Sequence, residues 1–320
     1  KAFVTGATGF IGGHLVRLLR ARGDAVTALV RNPDRARELA SLGAGLIVGD
    51  LGANYLADQV AGHDIVFHLA GLVAARTEAE FLATNLSGTE RLVAAAENTA
   101  VPRFVLVSSL AAGGPTVPGV RLTGIEPPHP VTQYGRSKLA AERAVAASSL
   151  GWTVIRPPAV YGPGDREMLR VFKAASTGIA PVFGDGTQQL SLIFGPDLAA
   201  AIAAAGATAA TLHGVYYASH SEILSSRQLV ALAGQAVGKR VRVVGIPGWV
   251  GRPLLQVTGL AARIANRATV LSADKAHEFF APAWLADPAR LTAATGWSAT
   301  HSFEAGARLT VDWYRDRGWL

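Results

Sequence analysis

Hydrophobic and polar positions follow one rhythm over the first half of the chain and another over the second. Up to Ile155, short apolar runs alternate with stretches whose apolar residues recur at helical spacing, the pattern of successive βαβ units. The runs at 2–5, 25–30, 45–48, 64–69, 103–107 and 152–155 read as strands, and 10–22, 34–42, 77–98 and 132–150 as helices. Because these strands are continuous Val, Ile and Leu runs rather than alternations, helices are expected on both faces of the sheet. The predicted fold is α/β, a doubly wound parallel Rossmann sheet.

Past Ile155 the rhythm breaks. Arg156-Pro157-Pro158 and Tyr161-Gly162-Pro163-Gly164-Asp165 punctuate the chain where it leaves the sheet. Helical patterns then fall at 167–177, 196–205, 226–236, 250–265, 288–295 and 302–317, with few strands between them. The predicted division is a sheet domain over 1–160 and a smaller, mostly helical lobe over 161–320, some of whose segments return to the sheet.

Composition narrows the chemistry. Among 320 residues there is no cysteine, which excludes disulfides, thiolate nucleophiles and Cys-ligated metals. No histidine pair has helical metal-ligand spacing, so His63 and His68 read as structural or solvent-facing and no metal is expected. Apolar residues make up 50% of the chain and charged ones 17%, against an average near ~25%, which predicts a large core and no disorder. A net charge of +7 invites a nucleic acid or an anionic surface. However, Arg17, Arg20, Arg22, Arg35 and Arg37 are interrupted by Asp24, Asp34 and Glu38, so a nucleic-acid partner is not expected. The alanine-rich stretch 198–212 is too short for a membrane span of about 20 residues, and no leader pattern precedes the first strand. A cytoplasmic location is the expectation.

Between the first strand and the first helix stands Thr5-Gly6-Ala7-Thr8-Gly9-Phe10-Ile11-Gly12. Gly6 allows the tight turn, Gly9 lets backbone approach a pyrophosphate, and Gly12 lets the helix lie close to the strand. The free N–H groups and dipole of a helix N-terminus favour a phosphate, so this is a dinucleotide site. Its second strand ends Val30-Arg31, with no carboxylate for a ribose 2′-hydroxyl but an arginine for a 2′-phosphate. NADP is therefore the preferred cofactor, with NAD as the alternative. Tyr134 and Lys138, at i and i+4, share one face of a helix. An ammonium beside a phenol favours the phenolate, a pair suited to moving a proton on and off an alcohol oxygen. Ser108 and Ser109 stand at the carboxyl edge of the sheet, where such folds bind ligands.

In this order the glycine turn, Ser108-Ser109 and the Tyr134–Lys138 pair resemble the extended short-chain dehydrogenase/reductase superfamily, and are similar to its hydroxysteroid dehydrogenase and dihydroflavonol reductase-type members. Further matches are Asp50-Leu51, His68-Leu69-Ala70-Gly71, Asn85 within Thr84-Asn85-Leu86-Ser87-Gly88-Thr89, Phe183-Gly184-Asp185-Gly186 and Asp197-Leu198-Ala199. The resemblance implies that Tyr134 is the acid/base, that Lys138 holds the nicotinamide ribose and lowers the tyrosine pKa, and that Ser109 or Ser108 orients the substrate oxygen. It implies Asn85 beside the active site and Arg156 as a brace for the loop. Implied cofactor contacts are Gly6, Thr8, Gly9, Phe10, Ile11, Gly12, Arg31, Asp50, Leu51, Leu69, Ala70, Gly71, Tyr134, Lys138 and Pro157.

Three reactions share this machinery in the superfamily. Its dehydratases carry a carboxylate soon after the serine, where Leu110, Ala111 and Ala112 stand here. Its sugar-nucleotide epimerases place an arginine after the glycine turn of the substrate lobe, and 184–192 has no basic residue. Pro247-Gly248-Trp249-Val250-Gly251 and the apolar stretch 254–264 read either as walls of an apolar pocket or as core. The expectation is an NADP-dependent oxidoreductase acting on the carbonyl or hydroxyl of a fairly apolar small molecule. A nucleotide-sugar epimerase and a non-catalytic NADP-binding sensor are the alternatives. Relatives dimerise through the helices at 77–98 and 132–150, where Ala140, Ala141, Ala144 and Ala147 permit close packing, so a homodimer is expected.

Overall fold

A computed structural model describes residues 1–53, 55–265, 269 and 272–320. The predicted strands of the first half are β1 (Ala2–Thr5), β2 (Val26–Val30), β3 (Gly45–Val48), β4 (Ile65–His68), β5 (Arg103–Val107) and β6 (Gly151–Arg156). Downstream lie β7 (Ala159–Tyr161), β8 (Ile179–Phe183), β9 (Gln189–Phe194), β10 (Gly214–Tyr217), β11 (Ile223–Ser225), β12 (Arg242–Ile246) and β13 (Ala283–Trp284). The large sheet has the order β10-β6-β5-β4-β1-β2-β3, all pairs parallel. β10 thus returns from the second half to pair with β6.

Continuous apolar strands divide their side chains between two helical layers. Val4, Phe67, Val105 and Ile155 face a core shared with Leu15, Leu19, Leu198 and Ile202 of the helices Phe10–Ala21 and Gly195–Ala207. Phe3, Val66, Phe104 and Val154 face the opposite core, with Leu92, Ala96, Ala141 and Val145 of the helices Gly88–Asn98 and Gln133–Ala146. Each of the larger of these side chains, Val, Leu, Ile or Phe, contributes roughly 1.5–3 kcal/mol by leaving water. Ala141 belongs to this core, so it does not stand with Ala140, Ala144 and Ala147 on the helix's outer side.

Several elements differ from the sequence reading. The helical stretch at 77–98 is α over Glu78–Phe81, π over Leu82–Ser87 and α again over Gly88–Asn98. Thr89 Oγ1 donates to the Asn85 carbonyl at 2.6 Å, offering that carbonyl a partner outside the helical ladder within the widened turn. The helix from Gln133 stops at Ala146, where Ser148 Oγ takes the Val145 carbonyl at 2.6 Å. Lobe helices match closely, at Leu169–Ser176, Ser226–Val237, Gly248–Ile264, Ala289–Thr295 and Phe303–Asp316. The second half is richer in strands than expected: β11-β9-β13 with β7 on β9, and β8 paired with β12. These strands are two to six residues long and are interrupted by Pro181 and Gly245, too little chain for a period to emerge.

Candidate functional site

Strand order reverses between β1 and β4, and the crevice at their carboxyl ends is where ligands of open parallel sheets bind. Gly6 has φ +71°, and a Cβ there would lie 2.6 Å from the Ala70 nitrogen at the end of β4. A Cβ on Gly12 would lie 2.2 Å from the Gly6 carbonyl oxygen. The turn is therefore folded down on itself and on the neighbouring strand, with no room for any side chain at either position. Gly9 caps the following helix without a side-chain hydrogen bond, and Thr8 and Gly9 are exposed. Such an open helix N-terminus suits a phosphate. Phe10 and Ile11 are half-buried behind it, Phe10 edge-on to His14 at 5.5 Å.

The remaining cofactor candidates ring the same crevice. Arg31 is exposed at the end of β2. Asp50 is exposed after β3, where its carboxylate accepts the Gly52 N–H at 2.7 Å, and Leu51 packs over Gly88. Leu69 and Ala70 are half-buried, while Gly71 lies where a Cβ would be 3.0 Å from Asn85 Oδ1 and 3.5 Å from Lys138 Nζ. Pro157, buried after β6, accepts the Leu110 N–H at 2.8 Å. Behind β4, buried His68 bonds Thr5 Oγ1 at 2.6 Å and Thr89 Oγ1 at 2.9 Å. Burial, with Lys138 adding, lowers its pKa to about 3, so it is a neutral structural residue.

Tyr134, Lys138 and Ser109 come together at the carboxyl end of β5. Burial drives the Tyr134 phenol up to about 12, opposed by a hydrogen bond with Ser109 and aided by the Glu278 charge. The Lys138 ammonium is directed to the Val107 carbonyl at 2.8 Å. Burial pulls Lys138 down to about 8, with Glu142 resisting. Ser109 Oγ also accepts the Ala111 N–H at 3.1 Å, capping the short helix Leu110–Gly113. Ser108 is separated from this group, because its hydroxyl donates to the buried Glu142 carboxylate. Glu142 is held in turn by Arg156 at 2.9 and 2.6 Å, and Arg156 by Tyr217 Oη at 3.0 Å. Arg156 is thus a brace. Asn85 is buried with its amide fully engaged: it accepts the Leu72 N–H at 2.7 Å and donates to Leu72 O and Ser137 Oγ.

A cavity of about 260 Å³ opens beside Tyr134, walled by Val73, Phe81, Gln133 and Leu260 with Asp274 and Lys275 at one side. Lys275 Nζ sits 5.1 Å from the centre of the Tyr134 ring and pairs with Glu278. Glu278 also accepts from Thr132 Oγ1 at 2.7 Å, and Asp274 from the Gln133 N–H at 3.0 Å. Glu142, Asp274, Lys275 and Glu278 were not among the sequence candidates. Glu142 is one helical turn past Lys138 and could have been read from that face. Asp274 is the first carboxylate after a long acid-free stretch, a weak signal that gives no hint of its neighbour 141 residues earlier. The turn at 184–192 carries no basic residue of its own, but Arg227 reaches it and donates to the Asp185 carbonyl at 3.0 Å. Asp197 ties down the chain near the C-terminus, accepting from Thr300 and His301.

The model of the NAD dependent epimerase/dehydratase family matches residues 2–217. A ceramide reductase of Caulobacter vibrioides is 33% identical over 325 aligned residues, covering 99% of this chain and 95% of that protein. A 2-alkyl-3-oxoalkanoate reductase of Stenotrophomonas maltophilia is 31% identical, covering 74% and 76%. Among solved structures, MoeE5 in complex with UDP-glucuronic acid and NAD superposes with a TM-score of 0.78 at 26% identity, covering 99% of each chain. The chain belongs to the NAD dependent epimerase/dehydratase family of extended short-chain dehydrogenase/reductases, and is an NAD(P)-dependent enzyme.

Proposed function

We propose that the protein is an NADP-dependent reductase of a ketone carried by a long-chain, ceramide-like lipid. The observation that carries the chemistry is Tyr134, a phenol held protonated at about 12 within hydrogen-bonding reach of Ser109 and open to the cavity. The Gly6–Gly12 turn, Arg31 and the 69–71 segment fit a dinucleotide, with Arg31 toward a 2′-phosphate. When bound, NADPH supplies the hydride to the carbonyl carbon. Tyr134 gives its proton to the carbonyl oxygen, Ser109 orients that oxygen by a hydrogen bond, and Lys138 holds the ribose. Asn85 acts at one remove, joining the 71–72 backbone to the Tyr134 helix. The names of the reductases similar to this chain support an apolar ketone, as do Val73, Phe81 and Leu260 in the cavity wall.

A nucleotide-sugar epimerase is the second reading, favoured by the likeness to MoeE5 bound to UDP-glucuronic acid. Against it, the turn at 184–192 has no basic residue of its own to clamp a diphosphate. The test offers the enzyme a long-chain 3-ketone and NADPH, then UDP-sugars. Consumption of NADPH with the ketone, falling by roughly 10²–10⁴ in Tyr134→Phe with NADPH affinity retained, is the result expected. Epimerised UDP-sugar without net consumption of cofactor would overturn the reductase reading.

A further inference from the structure

Residues 223–273 hold seven Lys or Arg and no Asp or Glu, while the rest of the chain carries 23 of each sign, so the whole +7 resides in this one stretch. Interleaved acids in the first helices hide the asymmetry. The stretch includes the helix Gly248–Ile264, which is apolar on both sides. Its inner side is anchored: Gly251 and Leu255 are buried, and a Cβ on Gly251 would lie 2.6 Å from the Phe280 ring, itself edge-on to Phe183. On its outer side Trp249 is 80% exposed, Leu254 48% and Val257 64%. Lys239, Arg240, Arg242 and Arg252, on the helix and the chain leading into it, are exposed as well.

We propose that the outer face of this helix docks on the surface of an anionic lipid bilayer. An exposed apolar face with a tryptophan, on a stretch that carries cations and no acid of its own, matches both layers of such a surface. The rings and aliphatic side chains enter below the headgroups, and the basic residues meet the anionic headgroups. No helix among the described residues is long and apolar enough to cross a membrane, so the contact is interfacial. The same helix supplies Gln256, Gly259 and Leu260 to the cavity beside Tyr134. That cavity, about 260 Å³ in volume, therefore lies next to the proposed docking face. The link to substrate rests on the reductase reading; the docking surface does not.

The test is flotation of the full chain with phosphatidylcholine vesicles and with vesicles that also contain phosphatidylglycerol. Partition is expected at least tenfold stronger onto the anionic vesicles and weaker at high salt. Combining Trp249→Ser, Leu254→Ser and Val257→Ser should reduce it at least tenfold with NADPH affinity unchanged. Arg240→Glu with Arg242→Glu should weaken it at low salt even if the first variant folds poorly. Absence of vesicle binding, or binding that neither variant alters, would overturn the proposal and leave the reductase reading untouched. Concentration-dependent dimers that the triple variant abolishes, without vesicle binding, would instead make this face a contact between two copies of the chain.

Discussion

Tyr134 keeps its proton because burial outweighs the hydroxyl of Ser109, and Lys138 keeps its charge only weakly for the same reason. Their pKa values, about 12 and about 8, make the phenol a donor throughout the neutral range and leave Lys138 cationic below about pH 8 and neutral above it. In the proposed reduction the first serves as proton donor and the second as the ribose contact. The profile of kcat/KM, which reports the free enzyme, should therefore be level below about pH 8 and decline above it as the ammonium is lost. Lys138→Arg should carry that decline to higher pH; an unmoved limb would remove Lys138 from the account. Tyr134 and Lys138 were legible because a single helix fixes their spacing. Between Ser108 and Ser109 the sequence could not choose, since the decision lies with Glu142, which engages Ser108 from the next layer. Lys275 and Glu278 were out of reach because no local period connects them with Tyr134.

At the level of elements, the six strands and four helical stretches of the first half were legible because the strands bury side chains on both sides of one sheet and each helix turns an apolar face to one of those sides. Irregularity arises where polar side chains compete for backbone groups, as at the π segment around Asn85. The short strands of the second half lie beneath the length at which alternation can be recognised. His68 illustrates how one polar residue fastens elements together, with Thr5 of β1 on one ring nitrogen and Thr89 on the other. Its folded pKa of about 3 lies under its ordinary value of 6.5, so between those values the unfolded chain binds a proton that the folded chain excludes. Stability is complete above about pH 6.5 and falls on acidification, by about 2 kcal/mol at pH 5 from this residue alone. Urea unfolding from pH 7 to pH 5 should show that loss, and His68→Gln should flatten the slope. An equal slope in the variant would assign the acid sensitivity elsewhere.

Across the whole molecule, charge is divided by task. Arg31, exposed at the end of β2, is where the chain would select a 2′-phosphate, while Trp249, Leu254 and Val257 of the helix Gly248–Ile264 are exposed on the acid-free stretch. Arg31→Ser should lower the preference for NADPH over NADH by about tenfold or more, the scale of one hydrogen bond to a charged group. An unchanged ratio would return cofactor choice to other residues. Chain statistics gave the net charge but not its placement, because the segment that holds it has no repeating pattern and is defined by what it lacks. The most direct test of the central claim follows a label: NADPH deuterated on its transferable position, given with a long-chain 3-ketone and analysed by mass spectrometry. One deuterium at the new carbinol carbon, formed by the native enzyme and nearly absent with Tyr134→Phe, is the predicted result. Epimerised UDP-sugar with no deuterium transferred to any alcohol would contradict it.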